Sequence, residues 1–326
     1  MRRVLLAALL ATAGTAAGVL PASSQSDTFA ADVRAWQAHD ARLMALGWRL
    51  ARANAVYCRD SQNAVGLMLT DFHRFKEPAR ASAAVGVFSG VAIEAVASGS
   101  PAEAAGLRAG DTLLAIGGAG IGPAPARLPK GKFFHDLLHD RIDAELARTG
   151  SVTLRLAQPG RGPRDVAVSG QSVCRGRFTL ISSGTAAMSE GYVIRIAVQL
   201  LAEHPDDNEA ATMLAHELAH NIFGHVAENN AKGRNYLTVR RNEREADRLA
   251  PWLMANAGFD PLAAPRFMAS WGPRRSGGIT RSQSHDHWRD RMAALAQEAG
   301  AVSATRAQRP GQMLDWRQRL PAIQTD

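Results

Sequence analysis

Beyond its first two dozen residues the sequence has no apolar run approaching the roughly 18 residues that a membrane span needs. The best later stretch, YVIRIAVQLLA, is short and broken by Arg195. There is no Lys-rich tract, no zinc knuckle and no aromatic-basic RNA motif, so the formal net charge of +8 rests on scattered arginines. That argues against nucleic acid as a partner and for a solvated basic surface, with peripheral contact to an anionic membrane left open. Only two cysteines occur, Cys58 and Cys174, and neither lies near the N-terminus, which argues against a lipid anchor there. Two cysteines fit an oxidising compartment, and a Cys58–Cys174 bridge spanning 116 positions is expected.

What the chain does have starts with a leader. MRRVLLAALLATAGTAAGVLPASSQSD places Arg2 and Arg3 before an apolar run, then small residues and a polar stretch. This is the pattern of a secretory signal peptide, assigned to residues 1–25, so the protein is expected to be exported to the periplasm or cell envelope. From Thr28 to Ala55 apolar residues recur at helical spacing, Val33, Trp36, Leu43, Leu46 and Leu50 among them. Residues 26–80 are therefore read as an N-terminal helix packing on a larger domain.

Residues 81–170 change character to short β-rich runs punctuated by glycine. Ser100 and Pro101 form an N-cap and N1 pair, and Gly106 ends the short helix they open. The run from Ser100 to Gly118, SPAEAAGLRAGDTLLAIGG, resembles the hallmark of PDZ domains of the bacterial envelope-protease type. A PDZ fold binds an extended chain end, such as a C-terminal tail, by adding it as a strand. The resemblance makes Gly86, Val87 and Phe88 the candidate peptide-binding loop.

The chemistry centres on ATMLAHELAHNIFGH, within a helix expected from about Pro205 to Asn230. His216 and His220 are four apart, so one helix face presents both imidazoles to one point. Glu217 stands next to the first, where a base can reach a water held there. This HExxH pattern belongs to zinc metalloproteases. Such a site needs a third protein ligand and an open position. RRNEREADRLA, downstream, offers Glu243, Glu245 and Asp247. This stretch resembles the ExxAD ligand helix of gluzincins related to the CAAX prenyl protease, HtpX and Oma-type enzymes, metallopeptidase family forty-eight. The resemblance implies His216, His220 and Glu243 as ligands of one zinc ion per chain, Glu217 as catalytic base, and Asp247 as hydrogen-bond partner of a ligand imidazole. Glu245 is read as a solvated charge, and His225 and His287 as packing or surface histidines. SHDHWRDRMAAL resembles the family's SHP-containing segment, with Asp286 in place of proline, which implies His285 or Arg291 as stabilisers near the substrate carbonyl.

The expected fold is α+β: a mainly helical zincin-type peptidase domain with a small β-sheet at 171–300, and an inserted β-rich PDZ domain. Residues 301–326 form a C-terminal extension with no assigned role. The function implied is zinc-dependent endoproteolysis of envelope proteins in quality control, with protein or peptide substrates pairing along an edge strand at 184–189. Two alternatives stand beside it. One is a peptide-binding or chaperone-like PDZ module on a non-catalytic zinc fold. The other is a hydrolase of non-peptide amides.

Overall fold

The computed structural model describes residues 22–323 apart from 88–89, 159, 183, 185 and 276–284. The expected signal peptide lies almost wholly outside the described residues, as does Phe88 of the expected peptide loop. Helix α1 (Ala22–Asn54) starts earlier than Thr28 and buries Val33, Leu43, Leu46, Trp48 and Leu50. Among the described residues no helix is long and apolar enough to cross a membrane.

After α1 the chain makes two strands that the sequence reading missed: β1 (Ser61–Ala64) and β2 (Leu67–Asp71). Residues 26–80 are thus more than a helix. β2 is the edge of a six-stranded sheet whose remaining members lie in or next to the expected 81–170 domain: β3 (Val91–Val96), β4 (Thr112–Ile116), β5 (Ala119–Gly120), β6 (Ser151–Gln158) and β7 (Arg161–Ser169). The order is β2-β3-β4-β6-β7, with β5 paired to β4 and every pairing antiparallel. The domain therefore begins near residue 65 rather than 81. Between strands lie α2 (Pro78–Ala84), α3 (Pro101–Ala104) and α4 (Phe134–Thr149). α3 is capped as expected, with the Ser100 hydroxyl accepting from the Glu103 N–H. Leu138, Ile142 and Leu146 of α4 pack on Ile93, Leu113, Leu154 and Leu156 of the sheet, forming a core of its own.

The exit strand, β8 (Gln171–Cys174), pairs antiparallel with β1, so the two connections to the sheet domain form a ribbon. Cys58 and Cys174 form a disulfide beside it, with Cα atoms 5.4 Å apart. The remaining chain builds a helical body. A three-stranded sheet of β9 (Arg177–Ile181), β10 (Ala187–Ser189) and β11 (Val193–Ala197) runs in the order β10-β11-β9. β11 is parallel to β9 and antiparallel to β10, which leaves β10 as an edge. Helices α5 (Val198–Glu203), α6 (Asp207–Phe223), α7 (His225–Lys232), α8 (Tyr236–Asn256), α9 (Ala263–Arg275) and α10 (Trp288–Gln308) follow. Their core contains Leu214, Leu218, Leu249 and Leu253, and α1 joins it through Leu43, Leu46 and Leu50.

Two boundaries move here. The single helix expected to run on to Asn230 is broken at Gly224, which adopts φ 71° and ψ 28°, a left-handed conformation suited to glycine. The expected C-terminal extension starts inside α10, and its later part is docked: Leu314 and Trp316 are buried in the body's core. The Trp316 indole N–H donates to Asn54 Oδ1 at 3.1 Å, which ties the tail to α1.

Candidate metal centre

α6 and α8 meet face to face and bring the expected ligands together. α6 opens on Asp206, whose carboxylate accepts from the Asn208 N–H, and α8 on Asn235, which accepts from the Thr238 N–H. One turn separates His216 from His220 on α6, and one turn separates Glu243 from Asp247 on α8. The two Nε2 atoms of His216 and His220 lie 3.2 Å apart. Glu243 Oε2 lies 3.4 Å from His216 Nε2, and Oε1 lies 3.5 Å from His220 Nε2. Among the described residues these three form the cluster able to hold a metal ion.

The donor set can be tested for fit. Ligand bonds of roughly 2.0–2.1 Å in a tetrahedral zinc site imply donor-to-donor edges of roughly 3.3 Å; the edge between the imidazoles and the distance from each imidazole to its nearer Glu243 oxygen fall close to that. The hydrogen-bond pattern agrees. His216 Nδ1 sits 2.9 Å from Asp247 Oδ1, and His220 Nδ1 sits 2.8 Å from His225 Nδ1. With one proton on each ring, held at Nδ1, both Nε2 atoms would be acceptors facing each other and a carboxylate. Three acceptors converging at such distances need a positive charge among them. His216 registers the same demand: burial lowers its pKa, but the hydrogen bonds and charges of Asp247 and Glu243 outweigh that and lift it to about 10. His220 goes the other way, to about 3, because burial outweighs the pull of Glu243 and the neighbouring imidazoles oppose a second charge.

Glu217 lines the same cleft, a cavity of about 490 Å³. Burial raises its carboxyl to about 7; His216 and the Ser189 backbone N–H, which donates to it, pull down, and the charge of Glu243 pushes up. Ser189 belongs to the edge strand β10, and Ala187 and Met188 beside it also line the cleft. The Ser189 hydroxyl donates to Asn221 Oδ1, and Asn221 Nδ2 donates to the Tyr192 carbonyl at 3.1 Å, fastening the strand to α6. Of the stretch expected to pair with substrate, 184–189, Thr185 lies outside the described residues. Leu200, Met213, Phe267 and Trp271 add apolar lining to the cleft.

The other expected residues divide. Asp247 Oδ1 faces His216 Nδ1, at 2.9 Å. Arg291 also reaches the site, but its guanidinium makes a bidentate pair with Asp247, Nε to Oδ2 at 2.6 Å and Nη2 to Oδ1 at 2.8 Å. It is thus held on a carboxylate rather than aimed at a carbonyl. His285 lines the cleft with Nε2 3.3 Å from Glu243 Oε2. Glu245 is not solvated: it is 6% exposed, and its Oε2 lies 2.8 Å from His225 Nε2. His225, 2% exposed, is likewise more than packing. His287 caps α10, accepting from the Arg289 N–H at 3.3 Å. The spacing of His225 and Glu245 carries no metal pattern, because their meeting depends on the break at Gly224.

In the sheet domain the expected peptide loop is corrected. The N–H of Gly86 donates to the Ala83 carbonyl and that of Val87 to the Ser82 carbonyl, so both close the end of α2 instead of facing an open groove. The strand beside α4 is β2, entered through Val65 and Gly66, and the Leu69 N–H donates to His139 Nε2 of α4 at 3.1 Å. A cavity of about 70 Å³ lies against that edge, lined by Leu67 and His139 together with Phe178 and Tyr192 of the body.

The protein-family model that matches the chain is that of the PDZ domain, over residues 93–122. No curated protein and no solved structure matches the chain. The sheet domain thus contains a PDZ domain, a module suited to binding peptides or regulating its neighbour.

Proposed function

We propose that this chain is a zinc-dependent metalloendopeptidase of the gluzincin type, related to metallopeptidase family forty-eight, exported to the cell envelope. The observation that carries the reading is the convergence of His216 Nε2, His220 Nε2 and the two oxygens of the Glu243 carboxylate, each imidazole nitrogen within 3.5 Å of the other and of one carboxylate oxygen, with Glu217 beside them. His216, His220 and Glu243 would hold the zinc. When bound, the ion supplies a Lewis acid that polarises a peptide carbonyl and makes water a nucleophile near neutral pH. Glu217 takes the proton of the attacking water and returns it to the leaving amine. The Ser189 N–H orients that carboxylate. Asp247 holds His216 through Nδ1, and Arg291 holds Asp247. An extended substrate chain pairs along β10, since main-chain hydrogen bonds secure a peptide without requiring one sequence. The PDZ domain recruits or regulates protein substrates, which accords with quality control of envelope proteins.

A second reading, a peptide-binding or chaperone-like module on a non-catalytic zinc fold, is favoured by the family match, which is confined to the PDZ domain. The two separate in one experiment: cleavage of an unfolded casein by the zinc-loaded chain, with and without chelator, beside Glu217→Gln. The proposal expects the wild type to cleave, chelation to abolish cleavage, and Glu217→Gln to retain zinc while losing about 10²–10⁴-fold in rate. Zinc bound with no cleavage by the wild type refutes the peptidase and leaves the binding module.

A further inference from the structure

Gly224 ends α6 in a left-handed conformation and α7 starts at the next residue, so the His225 imidazole returns to the side of α6 that carries His220. The two rings stand edge to face, centroids 4.9 Å apart. Nδ1 meets Nδ1 at 2.8 Å, and on the far side His225 Nε2 meets Glu245 Oε2 at 2.8 Å. Glu245 Oε1 faces Arg241 Nε at 3.6 Å. With zinc on its Nε2, His220 carries its proton on Nδ1 and donates it to His225 Nδ1. That atom must then be an acceptor, which puts the His225 proton on Nε2, donated to Glu245.

We propose that His225 and Glu245 are positioning residues of the metal centre: together they lock His220 in the Nδ1–H tautomer and pass the charge of Glu245 to it through an intervening imidazole. The inference rests on the reading of His216, His220 and Glu243 as a zinc site. It gives each ligand histidine its own carboxylate, Asp247 directly on His216 and Glu245 through His225 on His220, and such partners fix ring orientation and raise ligand basicity.

The test is the zinc dissociation constant, read by competition with a chromophoric chelator, for wild type, His225→Leu, His225→Gln and Glu245→Gln. His225→Leu removes the acceptor of the His220 proton and is expected to weaken zinc binding about 10–100-fold. His225→Gln offers a side-chain oxygen to that proton and recovers part of the loss. Glu245→Gln keeps shape and the hydrogen bond but loses the charge, and is expected to weaken binding about 3–10-fold. Thermal midpoints of the zinc-free variants are measured alongside; a purely structural role would lower them and leave zinc affinity unchanged. If His225→Leu does not fold, the isosteric Glu245→Gln decides. Wild-type affinity within about twofold in Glu245→Gln and in whichever His225 variants fold overturns the proposal while leaving the zinc site intact. Failure of the wild type to take up zinc overturns the zinc reading, and this inference with it.

Discussion

Asp247 sits between two demands, accepting from His216 on one side and pairing with Arg291 on the other. Those contacts hold its carboxyl at about 2: burial raises it, but the charge and hydrogen bonds of Arg291 outweigh that, with His216 adding to the effect. Asp247→Asn can still accept from His216, yet it loses the charge and the bidentate partner of Arg291. It is expected to weaken zinc binding by about tenfold or more, measured by chelator competition. At this scale the sequence was legible where function follows helical spacing. His216 with His220, and Glu243 with Asp247, are i,i+4 pairs whose shared face needs only the helix itself. Glu245 and His225 were misread because their burial comes from a chain reversal and from the packing of α7 on α8. Arg291 was named from a motif, which does not reveal its pairing with Asp247.

The elements show how the PDZ domain is attached to the body. Arg177 of β9 reaches α4, with Nη2 2.9 Å from Asp140 Oδ1 and 2.7 Å from Asp143 Oδ2, and with Nη1 3.8 Å from Asp136 Oδ1. Asp136 is buried and Arg177 half-buried, whereas Asp140 and Asp143 are more solvated and so contribute less. Arg177→Met is expected to destabilise the fold by about 2–3 kcal/mol in urea denaturation, because it leaves a buried carboxylate without its partner. The same helix bears His139, which occupies the Leu69 N–H on the free edge of β2. Desolvation pushes His139 well below its ordinary pKa, and the nearby Arg177 adds to the effect, so it stays neutral and keeps accepting that bond. β2 escaped the sequence reading because LMLTD is short and buried at all five positions, so its residues do not alternate and periodicity does not identify such a strand. The Ser100–Gly118 run was legible because cap, glycine and buried strand each have a local cause.

Across the whole molecule, α1 and the C-terminal tail bind the parts together. Trp316→Ala would remove a fully buried side chain and its bond to Asn54, and is expected to cost about 3–5 kcal/mol of stability in denaturant titration. Where α1 meets β3, burial lifts Asp40 and Glu94 from 3.8 and 4.5 to about 7 each; Arg74 opposes this in both, and the charge of Asp40 adds to the rise at Glu94. Between those ordinary values and 7 the folded chain holds more protons than the unfolded one, so these groups make stability fall as pH rises through that window. Asp40→Asn should therefore gain on the wild type between pH 5 and pH 8, by about 2–3 kcal/mol, in urea denaturation at both values. The disulfide at the neck closes a loop long enough to contribute about 4–5 kcal/mol on a chain-entropy account. That the chain changes character near the inserted β-rich segment was readable from composition shifts; the neck was not, nor that the tail joins the core, because Leu314 and Trp316 lie in a short stretch with no period of its own.

The proposed zinc site stands on one geometry, the meeting of His216, His220 and Glu243, which X-ray absorption at the zinc edge of the loaded chain probes directly. That geometry predicts one zinc per chain with a shell of nitrogen and oxygen at roughly 2.0–2.1 Å, the scattering signature of two imidazoles, and loss of the ion in His220→Ala and Glu243→Ala. A wild-type chain that retains no stoichiometric zinc, or a shell lacking imidazole, contradicts it.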